Sequence, residues 1–179
     1  MARVSYVEEG ANPELDELIG RIRGARRGNL LKLYRLLLHS PALAESWFIN
    51  NNAVRWKTEL DGRLRELVIL RVARLTGATY VIKQHVPELA LAEGLTRQEC
   101  DALADWRADN FFTERERAAL AYADAMTRDI AVPDAVFDAL RPHFSQRQIV
   151  ELTVLVGTYN MQTRVLRALE IDPEPHHEP

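Results

Sequence analysis

The sequence is poor in the residues that mark several large classes of protein. A single cysteine among 179 residues excludes an internal disulfide and any zinc or iron–sulfur site built from several thiolates. Eight glycines and eight prolines are too few for a fibrous chain. Apolar runs are only a few residues long, far short of the ~20 that a membrane-spanning helix needs. The formal net charge of -3, with both signs mixed along the chain, argues against a general nucleic-acid binder.

The composition that remains is that of a globular protein. Hydrophobic residues make up 47% of the chain, enough to bury a core in one domain of this length. Residues 1–17 are polar and acidic, which is not typical of a secretory signal peptide. We therefore expect a cytoplasmic protein that binds neither membranes nor nucleic acids.

Helical periodicity runs through almost the whole chain, and no segment alternates like a half-buried strand. Three helix starts carry capping-box spacing, namely Thr96 with Glu99, Thr113 with Glu116, and Ser145 with Gln148. The sequence predicts an all-α fold with helices over 14–23, 30–39, 41–60, 63–76, 78–93, 97–105, 114–128, 134–141 and 146–169. The helix over 63–76 is apolar on most sides, which indicates burial. Pro87 predicts a kink or a break in the helix over 78–93.

Glu66 and His85 are the residues most suggestive of chemistry. They lie on consecutive predicted helices joined at Gly77, eleven residues before and eight residues after it. At 1.5 Å per residue both lie roughly 12–16 Å from the turn, and a short connection makes antiparallel neighbours. A carboxylate that holds an imidazole fixes its tautomer and raises its basicity, which suits proton transfer. The alternative is structural, because Glu66 has arginines nearby to pair with and His85 stands among apolar residues.

The residues over 60–103, LDGRLRELVILRVARLTGATYVIKQHVPELALAEGLTRQECDAL, resemble the carboxymuconolactone decarboxylase family, which includes alkyl hydroperoxidase D-like proteins. The resemblance continues through TERERAALAYADAMTRD and RQIVELTVLVGTYNMQTRVLRAL and covers about two thirds of the chain. It implies an alkyl hydroperoxidase D-like helical bundle that forms homo-oligomers, as trimers or hexamers. It also implies one of two chemistries, either decarboxylation of a lactone acid without a cofactor or thiol-based reduction of peroxides.

The peroxidase branch resembles the pattern E…CxxCxxxH. Carried over, its Glu falls on Glu66, its His on His85, and its two cysteines on Ala78 and Val81. Both thiols are therefore missing, and peroxide reduction needs a thiolate. The one cysteine, Cys100, is interpreted as a small buried residue. Ala78 and Val81 are instead predicted to form an apolar wall of the substrate pocket.

The decarboxylase branch is more compatible with these residues. Loss of CO2 leaves an enolate, so catalysis needs a proton donor and a group that holds the carboxylate. His85, oriented by Glu66, is predicted to donate the proton. The candidates for the carboxylate are Arg71, Arg74 and Arg164, and the residues that could line an altered pocket are Trp47, Asn50 and Asn51. Tyr80 is predicted to pack, and Arg21, Arg23, Arg26 and Arg27 are predicted to form a solvated helix end or a subunit contact.

The sequence thus predicts a single family domain over 1–179, with an N-terminal helical extension over 1–60, a core over 61–170 and a flexible tail over 171–179. Glu66 and His85 are predicted to act as a lyase or isomerase pair on a small carboxylated lactone or a product of aromatic ring cleavage. No cofactor and no metal are expected. The alternative is a non-catalytic oligomer that binds a small acid or a partner.

Overall fold

The computed structural model describes residues 1–175, and it contains helices and loops but no strand in that range. The α-helices are α1 (Asp16–Gly24), α2 (Lys32–Leu37), α3 (Pro41–Trp56), α4 (Gly62–Thr76), α5 (Thr79–Gln84), α6 (Arg97–Ala102), α7 (Glu114–Arg128), α8 (Asp134–Asp138) and α9 (Gln146–Ala168). A 3-10 turn, Pro13–Leu15, precedes α1, and a π-helical segment, His85–Ala90, follows α5. The predicted all-α fold is confirmed.

Helix α4 is the centre of the bundle. Every residue from Leu64 to Ala73 is buried, because the helix packs against α7, α9, α5 and the π-helical segment. This explains why its sequence is apolar on most sides, and it places the second turn of α4, where Glu66 lies, deep inside the protein.

Two local features fix the ends of α4. The Asp61 side chain accepts a hydrogen bond from the backbone N–H of Leu64 at 2.8 Å and caps the first turn. At the other end Gly77 has a φ of 65°, a left-handed conformation that favours glycine. The N–H of Ala78 then donates to the carbonyl of Ala73 at 2.8 Å, which closes a Schellman-type turn. The chain therefore reverses sharply and α5 runs back along α4.

The predicted kink at Pro87 takes the form of a π-helical segment that begins at His85. Proline lacks an N–H and its ring clashes with the carbonyl four residues earlier, so a regular α-helical turn cannot form there. A wider turn accommodates the ring without ending the helix, and helical structure continues to Ala92. All three predicted capping boxes are present, at Thr96, Thr113 and Ser145.

Helices α1–α3 form a separate layer whose small apolar clusters include Ile22, Tyr34 and Phe48, and α3 packs on α9. This layer covers the end of the bundle where His85 lies, and the pocket described below has walls from both parts.

Part of the predicted flexible tail over 171–179 is packed against the protein. Glu174 is buried, and its carboxylate accepts hydrogen bonds from the Tyr80 hydroxyl at 2.5 Å and from the backbone N–H of Lys32 at 2.8 Å. These partners lie far from Glu174 in sequence, so helical periodicity gave no sign of them. The remaining residues of that prediction, 176–179, lie outside the described residues.

None of the described helices is both long and apolar enough to cross a membrane.

Candidate active site

The structure brings Glu66 and His85 into direct contact. Nδ1 of His85 and Oε2 of Glu66 are 2.6 Å apart, and both side chains are buried, with Glu66 at 0% exposure. Glu66 comes from the second turn of α4, and His85 stands where α5 passes into the π-helical segment. The antiparallel arrangement expected from the spacing around Gly77 therefore brings the two groups to the same height.

The guanidinium group of Arg55 also contacts Glu66. Nη2 of Arg55, the penultimate residue of α3, donates to Oε1 of Glu66 at 3.3 Å. One oxygen of the Glu66 carboxylate thus contacts the Arg55 guanidinium, and the other contacts the His85 imidazole. The ring of Tyr159 packs edge-on against His85, with centroids 5.7 Å apart and planes at 82°, so the imidazole has little freedom to turn.

Burial and charge set the protonation states of the pair. Burial raises the pKa of Glu66, but its contact with His85 and the positive charges of Arg55 and Arg65 together outweigh burial and hold that pKa below its usual value. Burial also lowers the pKa of His85, and together with the positive charges of Arg55 and Arg65 it outweighs the opposing influence of the Glu66 carboxylate. Near neutral pH the pair is therefore a carboxylate and a neutral imidazole.

These states determine the tautomer of His85. A carboxylate can only accept hydrogen bonds, so Nδ1 of His85 must carry the hydrogen that it donates to Glu66. In a neutral imidazole the other nitrogen, Nε2, then has a lone pair and no hydrogen. The sequence predicts His85 as a proton donor, but the lowered pKa makes its resting form a proton acceptor.

His85 lines a cavity of about 170 Å³ between the bundle and the α1–α3 layer. A buried apolar cavity of about 150 Å³ is known to hold one benzene molecule. The space beside His85 therefore matches a ligand built on a single ring.

The walls of this cavity contain charged, polar and apolar side chains. The charged and polar lining comprises Arg26, Arg27, Arg55, Glu88, Asn29, Asn51, Gln84, Gln162, Tyr34, Tyr80 and Tyr159, and the apolar lining includes Leu31, Leu33, Val81, Leu89 and Trp56. Arg27 is paired with Glu88 at 2.9 Å, and both of these side chains are largely exposed. Of the three lining arginines, Arg27 is paired with Glu88 and Arg55 with Glu66, so one positive charge is in excess, which favours an anionic ligand.

The predicted pocket residues have mixed outcomes. Val81 lines the cavity, whereas Ala78 lies in the hydrophobic core beside it. Asn51 also lines the cavity. Trp47 and Asn50 line a different, open groove between α3 and α9.

The prediction that Arg71, Arg74 or Arg164 holds the substrate carboxylate is wrong, because each of them hydrogen-bonds to other groups of the protein outside the cavity. Arg71 is buried against Asp124, and Nη2 of Arg74 donates to the carbonyl of Cys100 at 2.6 Å. Arg164 donates to the side chain and backbone oxygens of Asn160, one turn earlier on α9. None of them lines the cavity.

The arginines that do line the cavity are Arg26, Arg27 and Arg55. Arg27 is largely exposed, in agreement with its prediction at a solvated helix end, whereas Arg26 is half-buried and Arg55 is not singled out by the sequence. A left-handed residue at Arg27, with a φ of 55°, and Gly28 at 84° turn the chain after α1 so that this loop folds over the cavity. No short-range pattern predicts which arginine of a charged segment faces inward.

Tyrosines are also part of the site. Burial raises the pKa of Tyr159 to about 12, so its hydroxyl stays protonated. Tyr80, predicted to pack, is buried and lines the cavity while its hydroxyl donates to Glu174.

Cys100 is buried on α6 and lies outside the cavity lining. Burial raises the pKa of its thiol, which disfavours the reactive thiolate. Among residues 1–175 no three His, Cys, Asp or Glu side chains stand together as a metal-binding group would require.

The structure is thus a helical bundle in which Glu66 and His85 form a buried pair, and His85 lines a cavity that three arginines also line. The carboxymuconolactone decarboxylase family model matches residues 41–125. The chain belongs to this family, as predicted.

Two other proteins are similar to this chain in sequence. The uncharacterized protein YnjA of Escherichia coli K12 is 33% identical over 121 residues, a match that spans 65% of this chain and 64% of YnjA. A crystal structure of a protein of unknown function from Agrobacterium tumefaciens, described as a candidate antioxidant defence protein AhpD, is 30% identical with a TM-score of 0.73. That match covers 78% of this chain and 95% of the other.

The debrominase Bmp8, solved in complex with 2,3,4-tribromopyrrole, shares the fold over almost the whole chain. The TM-score is 0.81, with 98% of this chain and 95% of the debrominase covered. The sequence identity is 20%, so this likeness shows the fold alone.

Proposed function

We propose that this chain is a cofactor-free isomerase or lyase that moves a proton on a small carboxylated lactone or a related ring-cleavage product. The observation that carries the proposal is the buried contact of 2.6 Å between Glu66 and His85, whose imidazole lines a cavity that three arginines also line. Glu66 orients His85, His85 exchanges the proton, and the guanidinium groups hold the carboxylate.

The neutral state of His85 favours isomerisation. Nε2 of His85 takes a proton from a carbon next to the lactone carbonyl, and the electrons of that C–H bond move into the conjugated carbonyl system. The imidazolium is stabilised by the Glu66 carboxylate while it exists. It then returns the proton to another carbon of the same system, so that the double bond has moved and no proton is gained or lost overall.

Decarboxylation at the same site requires His85 to be protonated before the reaction begins. When the C–CO2 bond breaks, the electron pair stays on the ring as an enolate and must receive a proton from His85. This requires the imidazolium form, and burial makes that form scarce near neutral pH. Thiol peroxidase activity is disfavoured because the single cysteine is buried outside the cavity.

The pH dependence of kcat/KM separates the two reactions, because this quantity reports the ionisation of the unliganded enzyme. The pKa of His85 lies below its ordinary value of 6.5. For isomerisation, kcat/KM rises as the pH rises through that lowered pKa, because neutral His85 accumulates. The value of kcat/KM no longer changes by pH 7. For decarboxylation the rate falls over the same interval, since the imidazolium is lost.

The measurement uses a panel of small carboxylated lactones, followed by absorbance for isomerisation and by CO2 release for decarboxylation. We expect turnover of at least one compound with the rising profile. Absence of turnover across the panel, combined with tight binding of the acids, would support the non-catalytic alternative instead.

We also propose that the chain forms a homo-oligomer, a trimer or a hexamer, through the apolar face between α3 and α9. This face, formed by Leu43, Val154, Gly157, Met161 and Val165 among others, surrounds an open groove. Leu43 is 60% exposed, and contiguous exposed apolar surface is typical of interaction sites.

Val154→Glu tests this face, because a charge there changes little in a monomer but opposes burial in an oligomer. We expect light scattering to give a trimer or hexamer of the 20.4 kDa chain for the unchanged protein and a smaller species for the variant. Val4→Glu, at an exposed valine outside this face, is the matched control. A monomeric mass for the unchanged protein would contradict the proposal.

A further inference from the structure

Gln162 is a buried polar residue in the cavity wall that the proton-transfer mechanism does not use. It lies on α9, one turn after Tyr159, and it is 8% exposed. Its Oε1 atom is buried and has no hydrogen-bond partner among the described residues. A buried amide oxygen without a partner is costly, so its presence in a cavity wall calls for an explanation.

A second unpartnered group lies in the same wall. Nε of Arg55 is buried without an acceptor, although Nη2 of the same guanidinium donates to Glu66. Two residues of the wall thus hold buried atoms without partners, an acceptor on a neutral amide and a donor on a cation. A complementary ligand carries a hydrogen-bond donor together with an anionic group.

We propose that Gln162 is a specificity residue that selects hydroxylated single-ring acids over acids without a hydroxyl. The ligand carboxylate is held by Arg55, and the ligand hydroxyl donates to Oε1 of Gln162. The terminal torsion of glutamine is broad, so the amide can turn towards the ligand at little cost. A hydroxyl both donates and accepts, and it therefore also pairs with the amide in its flipped orientation.

This inference rests on the proposed function, because it takes the same cavity to be the substrate site and names the class of substrate. It concerns binding, however, and not turnover. A binding preference can therefore be found or refuted whether or not His85 transfers a proton.

Isothermal titration of the full chain with benzoate and with 2-, 3- and 4-hydroxybenzoate tests the proposal. These probes fit the space of about 170 Å³ and differ only in the hydroxyl. We expect at least one hydroxybenzoate to bind about tenfold or more tightly than benzoate, since a buried acceptor gains its missing partner. Gln162→Met, which is similar in shape but has no amide, should remove this preference, so that benzoate and the hydroxybenzoates bind with similar affinity.

Gln146→Met is the matched control, because Gln146 is exposed in the first turn of α9 and lies outside the cavity lining. It should keep the full preference. If the methionine variant does not fold, Gln162→Asn takes its place in the test. Asparagine keeps an amide but has a shorter side chain, so this variant should reduce the preference. Equal binding of all four acids to the unchanged chain, or failure of all four to bind, would overturn the proposal. So would a preference that stays at its full size in either Gln162 variant.

Discussion

Replacement of His85 by glutamine is expected to lower kcat by about 10²–10⁴-fold on whichever lactone acid the protein converts, which is the usual contribution of a general base. Glutamine can still donate an N–H to Glu66 in place of Nδ1 of His85. It cannot accept a proton near neutral pH, so the chemistry is lost while the carboxylate keeps its partner. Binding of the acid should change far less than turnover, because the arginines of the wall remain.

His39→Gln is the matched control for this experiment. His39 is exposed, its Nε2 lies 2.7 Å from the carbonyl of Ser5, and it does not line the cavity. This variant should keep full activity. Turnover by His85→Gln within a few-fold of the unchanged protein would assign the proton transfer to another group.

Replacement of Asp124 by alanine is expected to reduce the free energy of unfolding by about 3–5 kcal/mol, the usual cost of breaking a buried ion pair. Asp124 on α7 accepts two hydrogen bonds from Arg71, at 2.5 and 3.0 Å, and further bonds from Trp106 and Arg107. Arg71 is 3% exposed, so the variant leaves a buried guanidinium without its anion. Arg71 therefore stabilises the packing of α4 on α7 rather than binding substrate.

Thermal and urea unfolding measure this effect. For a chain of this length the loss corresponds to a fall in Tm of about 6–20 °C. Asp138→Ala removes a carboxylate from an exposed ion pair with Arg141 and should cost less than about 1 kcal/mol. Equal losses for the two variants would show that the buried network contributes no more than a surface pair.

The sequence was sufficient for features that depend on short-range rules. Apolar periodicity predicted α4, the Ser/Thr and Glu/Gln pairs predicted three helix starts, and Gly77 predicted the reversal that joins α4 to α5. The Glu66–His85 contact followed from the same information, because two residues at similar distances from a tight helix–helix turn lie at similar heights.

Features that depend on long-range packing were not predictable in this way. The chain has many arginines, and only the folded structure separates Arg55, which faces the cavity, from Arg71, which faces Asp124. Glu174 accepts a hydrogen bond from Tyr80, from which it is separated by 94 positions in the sequence. The protonation state of His85 depends on its burial between α4 and α9, which composition does not reveal.

The proposed proton transfer depends most directly on the protonation state and tautomer of His85. ¹⁵N NMR of labelled histidine measures both. The His85 signals can be assigned by their absence from His85→Gln. At neutral pH we predict a protonated Nδ1 and an unprotonated Nε2, with titration to the imidazolium only below pH 6.5, the ordinary histidine value. A doubly protonated ring at neutral pH, or the opposite tautomer, would contradict the mechanism.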